Sequence, residues 1–321
     1  MIAITGAAGF IASALTGRLN ELGFNDLILI DKWNKKAKQG NYINKRYNFL
    51  IDRDIALNWL DQNHDKVDFV IHLGARTDTT ETDTEVFEKL NISYTKSIWQ
   101  FCTSHNLPLI YASSAATYGI GELGYRDSHD IVDSLQPLNA YGRSKNEIDK
   151  WILRQEKTPP FWAGLKFFNV YGPNEYHKGR MASVVMHSFN HIKETGFVNL
   201  FRSHRPDFAD GQQSRDFVYV KDVVEVIVWL MQNKPESGLY NVGTGKARPF
   251  FDLATAVFNA MGLQPDIRFI DTPLDIRDKY QYFTEADITK LRRVGYEKPF
   301  TTLEDGVRDY VVNYLSKGEY I

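Results

Sequence analysis

The sequence lacks the features of several large classes of protein. It contains one cysteine, Cys102, which excludes an internal disulfide and a cysteine-based metal cluster. No apolar run reaches the roughly 18 residues that span a bilayer, and residues 1–5 carry no basic region of a signal peptide. Neither sign of charge is in excess, because the net charge is -2, which favours neither nucleic acid nor a membrane as a partner. We therefore expect a soluble cytoplasmic protein without a metal site.

The first half of the chain contains short apolar runs that alternate with longer amphipathic segments. The strand candidates are 2–5, 27–31, 67–73, 107–113 and 161–169. The helix candidates between them are 11–22, 53–63, 83–105 and 141–156. Almost continuous apolar runs are typical of parallel strands that are covered on both faces. The alternation therefore predicts an α/β fold with a doubly wound parallel sheet of the Rossmann type.

The second half has longer loops rich in glycine, proline, histidine and aspartate. Its helix candidates are 182–195, 221–233, 251–261 and 302–315. A chain of 321 residues is long enough for two lobes. We interpret residues 1–170 as a dinucleotide-binding Rossmann domain, to which the chain returns near 217–231, and residues 171–321 mainly as a smaller substrate-binding lobe.

A glycine turn follows the first strand candidate, with Gly6, Gly9 and Ala12 in the pattern GxxGxxA. Glycine lets the backbone approach a pyrophosphate closely, and the helix that follows offers free N–H groups to it. A plain structural turn would have the same glycines. The second strand candidate, however, ends in Asp31, where an acid can accept hydrogen bonds from the adenosine ribose. The context predicts a bound dinucleotide.

The choice between NAD and NADP is open from these residues. Asp31 would repel a 2′-phosphate and favours NAD, whereas the cluster of Lys32, Lys35, Lys36 and Lys38 could neutralise that phosphate and favours NADP. A solvated basic loop would have the same lysines.

A candidate catalytic pair lies in Tyr141-Gly-Arg-Ser-Lys145. Residues four apart share a helix face, and an ammonium near a phenol stabilises the phenolate, so we expect a lowered pKa for Tyr141. Such a group suits proton transfer during redox chemistry at a carbinol. Ser114, at the carboxyl end of a strand candidate, can hold the reacting oxygen. Alone, YxxxK is more often an exposed helix pair, but here it follows a dinucleotide turn and a strand-end serine.

The motifs TGAAGFIA, HLGA, YASSAATYG, YGRSK and FFNVYGP together resemble the extended short-chain dehydrogenase/reductases, which act mostly on nucleotide-linked sugars. The stretches 169–183 and 280–300 are similar to the group of that family that inverts C6 of ADP-heptose, a precursor of the lipopolysaccharide core. The resemblance implies an isomerase that oxidises ADP-D-glycero-D-manno-heptose transiently to a 6-keto intermediate and re-reduces it with tightly bound NADP(H). It also implies a homo-oligomer, a pentamer in that group.

The resemblance also implies roles for single residues. Lys178 corresponds to the second catalytic residue, beside Tyr141, Lys145 and Ser114. The cofactor-binding residues that it implies, besides Tyr141 and Lys145, are Gly6, Gly9, Phe10, Ile11, Asp31, Lys32, Lys38, Arg53, Leu73, Gly74, Ala75, Arg76, Thr77 and Asn91. The substrate-binding residues that it implies are Asn169, Arg180, His187, Phe201, Arg215 and Tyr280. A guanidinium such as that of Arg215 suits a diphosphate because it donates to two oxygens at once.

Several positions depart from the pattern of that group: Ala12, Leu73, Arg76, Arg180 and a longer stretch at 203–214. A different nucleotide-sugar 4-epimerase of the same family is therefore the alternative. A dehydratase is disfavoured because Ala115 and Ala116 stand where it needs an acid pair. A non-catalytic dinucleotide sensor is disfavoured because the tyrosine, the lysine and the serine are all present.

Overall fold

The strands of the protein fall into one large sheet and two small ones. The computed structural model describes residues 1–277 and 281–321. The strands in these ranges are β1 (Ile2–Thr5), β2 (Leu27–Asp31), β3 (Phe49–Asp52), β4 (Phe69–His72), β5 (Leu109–Ser114), β6 (Trp162–Phe167), β7 (Asn169–Tyr171), β8 (Val198–Phe201), β9 (Ser214–Tyr219), β10 (Gly238–Val242), β11 (Ala247–Pro249) and β12 (Ile267–Ile270).

Helices connect these strands. The α-helices of the described ranges are α1 (Phe10–Glu21), α2 (Arg53–Gln62), α3 (Thr84–Phe87), α4 (Tyr94–Ser104), α5 (Ala140–Leu153), α6 (Val184–Thr195), α7 (Val220–Asn233), α8 (Phe250–Ala260), α9 (Leu274–Arg277), α10 (Thr289–Arg293) and α11 (Leu303–Asp309). Two π-helical segments, Glu88–Ser93 and Tyr310–Leu315, continue α3 and α11. None of the helices in the part of the chain that the structure describes is long and apolar enough to cross a membrane.

The large sheet has seven strands in the order β10-β6-β5-β4-β1-β2-β3, and its neighbouring strands are parallel. This confirms the predicted doubly wound α/β fold. The chain builds outward from β1 to β2 and β3, then starts again on the other side of β1 with β4. A crevice therefore opens between the carboxyl ends of β1 and β4, which is where such sheets bind ligands.

Both faces of the sheet are covered, as the continuous apolar runs predict. Along β1, Ile2 and Ile4 belong to the hydrophobic cluster formed with α1 and α7, whereas Ala3 belongs to the cluster on the opposite face with α2, α4 and α5. Successive side chains of a strand point to opposite faces, so a fully buried strand must be apolar at every position.

The remaining strands form small sheets in the order β11-β9-β7 and β12-β8. The chain leaves the large sheet after β6, and β7 pairs with β9. It returns through α7, which packs on α1, and through β10, which pairs with β6. The return strand thus lies a few residues beyond the 217–231 stretch, which contains the end of β9 and most of α7.

Candidate active site

The glycine turn between β1 and α1 lies against the loop that follows β4. Gly6 has φ +69°, and a Cβ there would lie 2.6 Å from the Cα of Gly74. Only glycine combines this left-handed backbone with so close an approach. Gly9 stands at the N-cap of α1 and has no side chain with which to satisfy the first helical N–H groups. The turn therefore fits a pyrophosphate, whose oxygens accept from such groups.

Asp31, at the end of β2, is turned toward this glycine turn. Its carboxylate accepts hydrogen bonds from the N–H of Ala8 at 3.0 Å and the N–H of Lys32 at 2.6 Å. The Lys38 ammonium lies 3.3 Å from the same carboxylate. The side chain of Asp31 thus stabilises the turn, and its charge is compensated by Lys38.

Two other basic side chains of this region, those of Lys32 and Arg53, pair with acids. The Lys32 ammonium pairs with Asp52 at 3.0 Å and Asp54 at 2.5 Å, and the guanidinium of Arg53 lies 3.6 Å from Asp54. The basic side chain of this loop that contacts the Asp31 carboxylate is therefore that of Lys38.

The loop after β4 is held in place by Asn91, which the π-helical segment 88–93 presents. The Asn91 side chain accepts from the N–H of Arg76 at 2.8 Å and donates to the Arg76 carbonyl at 3.0 Å and to the hydroxyl of Ser144 at 2.9 Å. Since Ser144 lies on α5, the completely buried Asn91 joins the loop 73–77 to the helix that carries Tyr141. Leu73, Gly74, Ala75 and Thr77 follow β4, with Gly74 against Gly6 of the glycine turn, and Phe10 and Ile11 begin α1 after that turn.

Tyr141 and Lys145 lie in the first two turns of α5, which Asn139 caps by accepting from the N–H of Gly142. The hydroxyl of Tyr141 is hydrogen-bonded to the side chain of Ser114, the last residue of β5. The Lys145 ammonium donates to the carbonyl of Ala112 at 2.8 Å. The structure therefore brings the predicted tyrosine, lysine and serine together at the carboxyl edge of the sheet.

The pKa of Tyr141 differs from the expectation. Burial raises it, and the hydrogen bond with Ser114 opposes this only in part. Burial also lowers the pKa of Lys145 to about 8, while the Asp149 carboxylate works in the opposite direction. The prediction of a lowered tyrosine pKa is wrong for this arrangement, because burial dominates and the negative charge of Asp149 raises the pKa of Tyr141 further.

Lys178 lies in the 3-10 helix Tyr176–Met181, on the other side of the glycine turn. Its ammonium lies 4.9 Å from the centre of the Phe10 ring, a distance typical of a cation–π contact. Burial lowers the pKa of Lys178, and the neighbouring Glu175 carboxylate opposes this shift. Because Phe10 begins α1 directly after the glycine turn, the Lys178 ammonium lies beside that turn.

Arg76 and Arg180 bind acidic side chains in an ion-pair network that we name the clasp, with Asp78 and Glu81 as its acids. Arg180 donates to both oxygens of Asp78, at 3.1 and 2.9 Å, and Arg76 pairs with Glu81 at 2.8 Å. The hydrogen bonds with Arg180 and Thr80 lower the pKa of Asp78 to about 2. The clasp joins the loop after β4 to the segment that carries Lys178.

The other predicted substrate residues are spread over the second half of the chain. Asn169 is exposed at the start of β7, and the Nε2 atom of His187 lies 3.3 Å from the Arg180 carbonyl. Phe201 ends β8. The guanidinium of Arg215 is buried, donates to the Ser214 carbonyl at 2.9 Å and to that of Gln281, and lies over the Phe250 ring. Tyr280 lies outside the described residues.

Asn41, which is not among the predicted site residues, is completely buried next to the glycine turn. Its side-chain amide donates to the carbonyls of Ala8 at 2.9 Å and Asn174 at 3.1 Å, and lies 3.2 Å from Nδ1 of His177. Asn41 thus connects the turn to the segment that carries Lys178. A lone asparagine in a loop has no spacing signal that could have identified it.

The chain is similar to known proteins in both sequence and fold. Residues 2–243 match the model of the NAD dependent epimerase/dehydratase family. The chain is 50% identical to an ADP-L-glycero-D-manno-heptose-6-epimerase of Fusobacterium nucleatum, over 99% of this chain and 98% of that protein. It is 47% identical to the protein of the same name from Nitratidesulfovibrio vulgaris, over 99% of both chains.

Among solved structures, the fold is similar to the crystal structure of Helicobacter pylori ADP-L-glycero-D-manno-heptose-6-epimerase. The TM-score is 0.81 at 28% sequence identity, and the match covers 97% of this chain and 95% of that one. The similarity therefore extends over both the large sheet and the small sheets.

Proposed function

The chain belongs to the NAD dependent epimerase/dehydratase family, and from this premise we propose that it inverts C6 of ADP-D-glycero-D-manno-heptose. The proposed enzyme is thus an isomerase, an ADP-L-glycero-D-manno-heptose 6-epimerase. The observation that carries the proposal is that two buried proton-transfer groups come from different elements next to the dinucleotide turn and the catalytic helix. Tyr141 of α5 meets Ser114 at the end of β5, and the Lys178 ammonium lies over Phe10 at the start of α1.

A carbinol carbon without an acidic C–H cannot be inverted by proton exchange alone. When it is bound, the dinucleotide supplies reversible two-electron redox chemistry at C6, through a 6-keto form of the sugar. The protein then has to exchange a proton with the C6 oxygen on either face of that carbon. Two proton-transfer groups that come from different elements meet this requirement.

Tyr141 suits the first of these roles. Its hydroxyl shares a hydrogen bond with Ser114, so both side chains can bind the C6 oxygen at the carboxyl edge of the sheet. The raised pKa of Tyr141 keeps the phenol protonated before substrate arrives, so it is ready to donate. Lys145, four residues along α5, holds a positive charge within the same buried region.

Lys178 suits the second role because burial lowers its pKa from the ordinary lysine value. A lowered pKa brings an amine closer to the neutral range in which it can both take and give a proton. The Phe10 ring and Glu175 limit the positions that the ammonium can adopt.

We propose NADP rather than NAD as the cofactor. Asp31 ordinarily discriminates against a 2′-phosphate, but here its carboxylate accepts from Ala8 and Lys32 N–H groups and faces Lys38. An ammonium in this position can bind a 2′-phosphate while the acid stabilises the turn. By family similarity we also propose that the enzyme acts in the cytoplasm as a homo-oligomer.

The activity can be tested by incubating the purified protein with ADP-D-glycero-D-manno-heptose and following C6 by NMR, with no added reductant. We expect inversion at C6. The Tyr141→Phe variant should lose roughly 100- to 10,000-fold in rate and still bind the dinucleotide. No conversion of ADP-heptose, together with turnover of a UDP- or GDP-linked sugar, would reject the proposal in favour of another epimerase of this family.

A further inference from the structure

A buried ion pair lies directly behind Tyr141 and Lys145. The Asp149 carboxylate and the Lys166 ammonium are 2.7 Å apart, and their side chains are 0% and 1% exposed. Asp149 lies one helical turn after Lys145 on α5, and Lys166 is the second-to-last residue of β6. The pair therefore joins the catalytic helix to the sheet.

The remaining hydrogen-bonding capacity of the pair is directed at β5 and the turn that follows it. The carboxylate accepts from the hydroxyl of Tyr111 at 3.0 Å and from that of Ser113 at 2.7 Å. The ammonium also donates to the hydroxyl of Thr117 at 2.8 Å. Asp149 thus holds two residues of β5 that alternate with Ala112 and Ser114.

Ala112 and Ser114 are the two residues of β5 that meet the catalytic pair. The carbonyl of Ala112 accepts from Lys145, and the side chain of Ser114 is hydrogen-bonded to Tyr141. Any slip of β5 relative to α5 would separate both contacts. Asp149 prevents that slip because it belongs to α5 and its carboxylate accepts hydrogen bonds from Tyr111 and Ser113, the residues on either side of Ala112.

Stability alone is a poor explanation for this arrangement. Two charges lose their hydration when they are buried, and well-packed apolar residues in their place are often as stable or more so. The placement of the charges, one turn from Lys145, points to a role in the reaction.

We propose that Asp149 is a positioning residue for catalysis, which aligns Ala112 and Ser114 with the catalytic pair and stabilises the Lys145 ammonium by its negative charge. This inference rests on the proposed function. Lys166 is its counterion, which anchors the carboxylate and moderates its effect on Lys145.

The charged and titratable groups around Lys145 support the electrostatic part. Asp149 is the acid that opposes the burial of Lys145, whose pKa is about 8. Tyr141 precedes it by one turn, and Lys166 lies behind Asp149. His72 on β4 is bonded to the hydroxyls of Thr5 and Thr95, and its burial lowers its pKa to about 3, so it is neutral where the enzyme works.

The test compares the pH profile of kcat in Asp149→Asn and Lys166→Met. Asp149→Asn keeps the shape but removes the negative charge. We expect kcat to fall roughly 10- to 100-fold, KM to change little, and the alkaline limb of the profile to move to lower pH as Lys145 loses its proton more easily. Lys166→Met keeps the carboxylate with its two hydroxyl donors. Its alkaline limb should stay in place or move to higher pH.

Equal losses of kcat in both variants with an unchanged alkaline limb would overturn the proposal and leave the pair as a structural support. If Asp149→Asn does not fold, the double variant Asp149→Asn/Lys166→Met, which leaves no lone buried charge, should still show the limb at lower pH. An unshifted alkaline limb in the double variant also overturns the proposal.

A second readout separates this inference from the proposed function. With ¹³C at the lysine ε-carbons, NMR reports the titration of Lys145 directly, whether or not ADP-heptose is the substrate. A titration that moves to lower pH in Asp149→Asn supports the electrostatic role even if C6 epimerisation is not observed, and an unmoved titration contradicts it.

Discussion

Lys178 is the residue on which a two-sided proton transfer depends. Its ammonium lies over the Phe10 ring at the start of α1, and its side chain is largely buried there. Lys178→Met keeps the apolar stem and removes the ammonium. We expect C6 epimerisation to fall by roughly 100-fold or more, with the dinucleotide still bound, as measured by NMR of ADP-heptose and by absorbance of the bound nicotinamide.

Lys193→Met is a matched control for that variant. The Lys193 ammonium also lies over a phenylalanine ring, that of Phe189, at 5.9 Å, but on the outer part of α6. This variant should keep the wild-type rate. A Lys178→Met enzyme that is as fast as Lys193→Met would show that Lys178 is an ordinary loop residue.

Single residues could be identified from the sequence where the chemistry demands a short spacing. Two pairs of site residues, Gly6 with Gly9 and Tyr141 with Lys145, are close together in the sequence, so a short sequence motif can identify them. Asp149 bonds to Lys166 across 17 residues of sequence. Asn41 bonds to Asn174 across 133 residues. Such contacts depend on how elements that are distant in the sequence pack together, so no local sequence pattern predicts them.

At the scale of elements, the clasp links two loops that come from different halves of the chain. Surface ion pairs typically contribute about 0–1 kcal/mol, so its effect should be modest and local. We expect Asp78→Asn to raise the KM for ADP-heptose by up to about fivefold and to increase hydrogen exchange in residues 176–181. Because the pKa of Asp78 is about 2, this carboxylate stays charged at neutral and mildly acidic pH, and the clasp does not contribute to pH effects there.

Two further variants define the role of the clasp. Glu81→Gln removes the nearer of the two acidic partners of Arg76, the other being Asp78, and leaves the Arg180–Asp78 pair intact, so exchange in 176–181 should not change. The charge exchange Asp78→Arg/Arg180→Asp should restore much of the loss. If Asp78→Asn leaves both KM and exchange at wild-type values, the two loops are held together by other contacts.

The elements that the sequence predicts best are those whose residues are buried on both faces. β1 and β2 have the predicted bounds, and their runs are apolar up to the last residue. β3 has a comparable short apolar run, Phe49–Ile51, but it is not among the predicted strands, and it lies half-exposed at the edge of the sheet. The single strand predicted at 161–169 is interrupted at Phe168, because β7 leaves the large sheet to pair with β9. The π-helical turn that presents Asn91 lies inside the predicted helix 83–105 and has no sequence signature.

At the scale of the whole molecule, the C-terminal residues contact both the Lys38 loop and the segment that carries Lys178. The Tyr320 ring packs edge-on against Tyr176, with 4.9 Å between ring centres, and its other neighbour is Gly40, where a Cβ would collide with the ring. The Tyr176 hydroxyl donates to the Glu319 carbonyl at 3.0 Å. Tyr320 therefore braces the Lys38 loop against the segment that carries Lys178.

This bracing predicts that a change far along the chain affects both stability and the reaction. Tyr320→Ala removes a half-buried ring and leaves a gap between Gly40 and Tyr176, which we expect to lower the free energy of unfolding by about 1–2 kcal/mol. The rate of epimerisation should fall more than the affinity for ADP-heptose, because Lys178 loses part of its support. Denaturant unfolding and NMR rate measurements test the two effects.

Tyr320→Phe separates the ring from its hydroxyl. The packing against Gly40 and Tyr176 involves the ring, so this variant should stay within about 0.5 kcal/mol of the wild type and keep its rate. If Tyr320→Ala lowers stability but leaves the rate unchanged, the C-terminal residues support the fold without reaching the Lys178 segment. If the rate falls, the position of the second proton-transfer group depends on contacts from three separate parts of the chain: the Lys38 loop, the Tyr176 segment and the C-terminal residues.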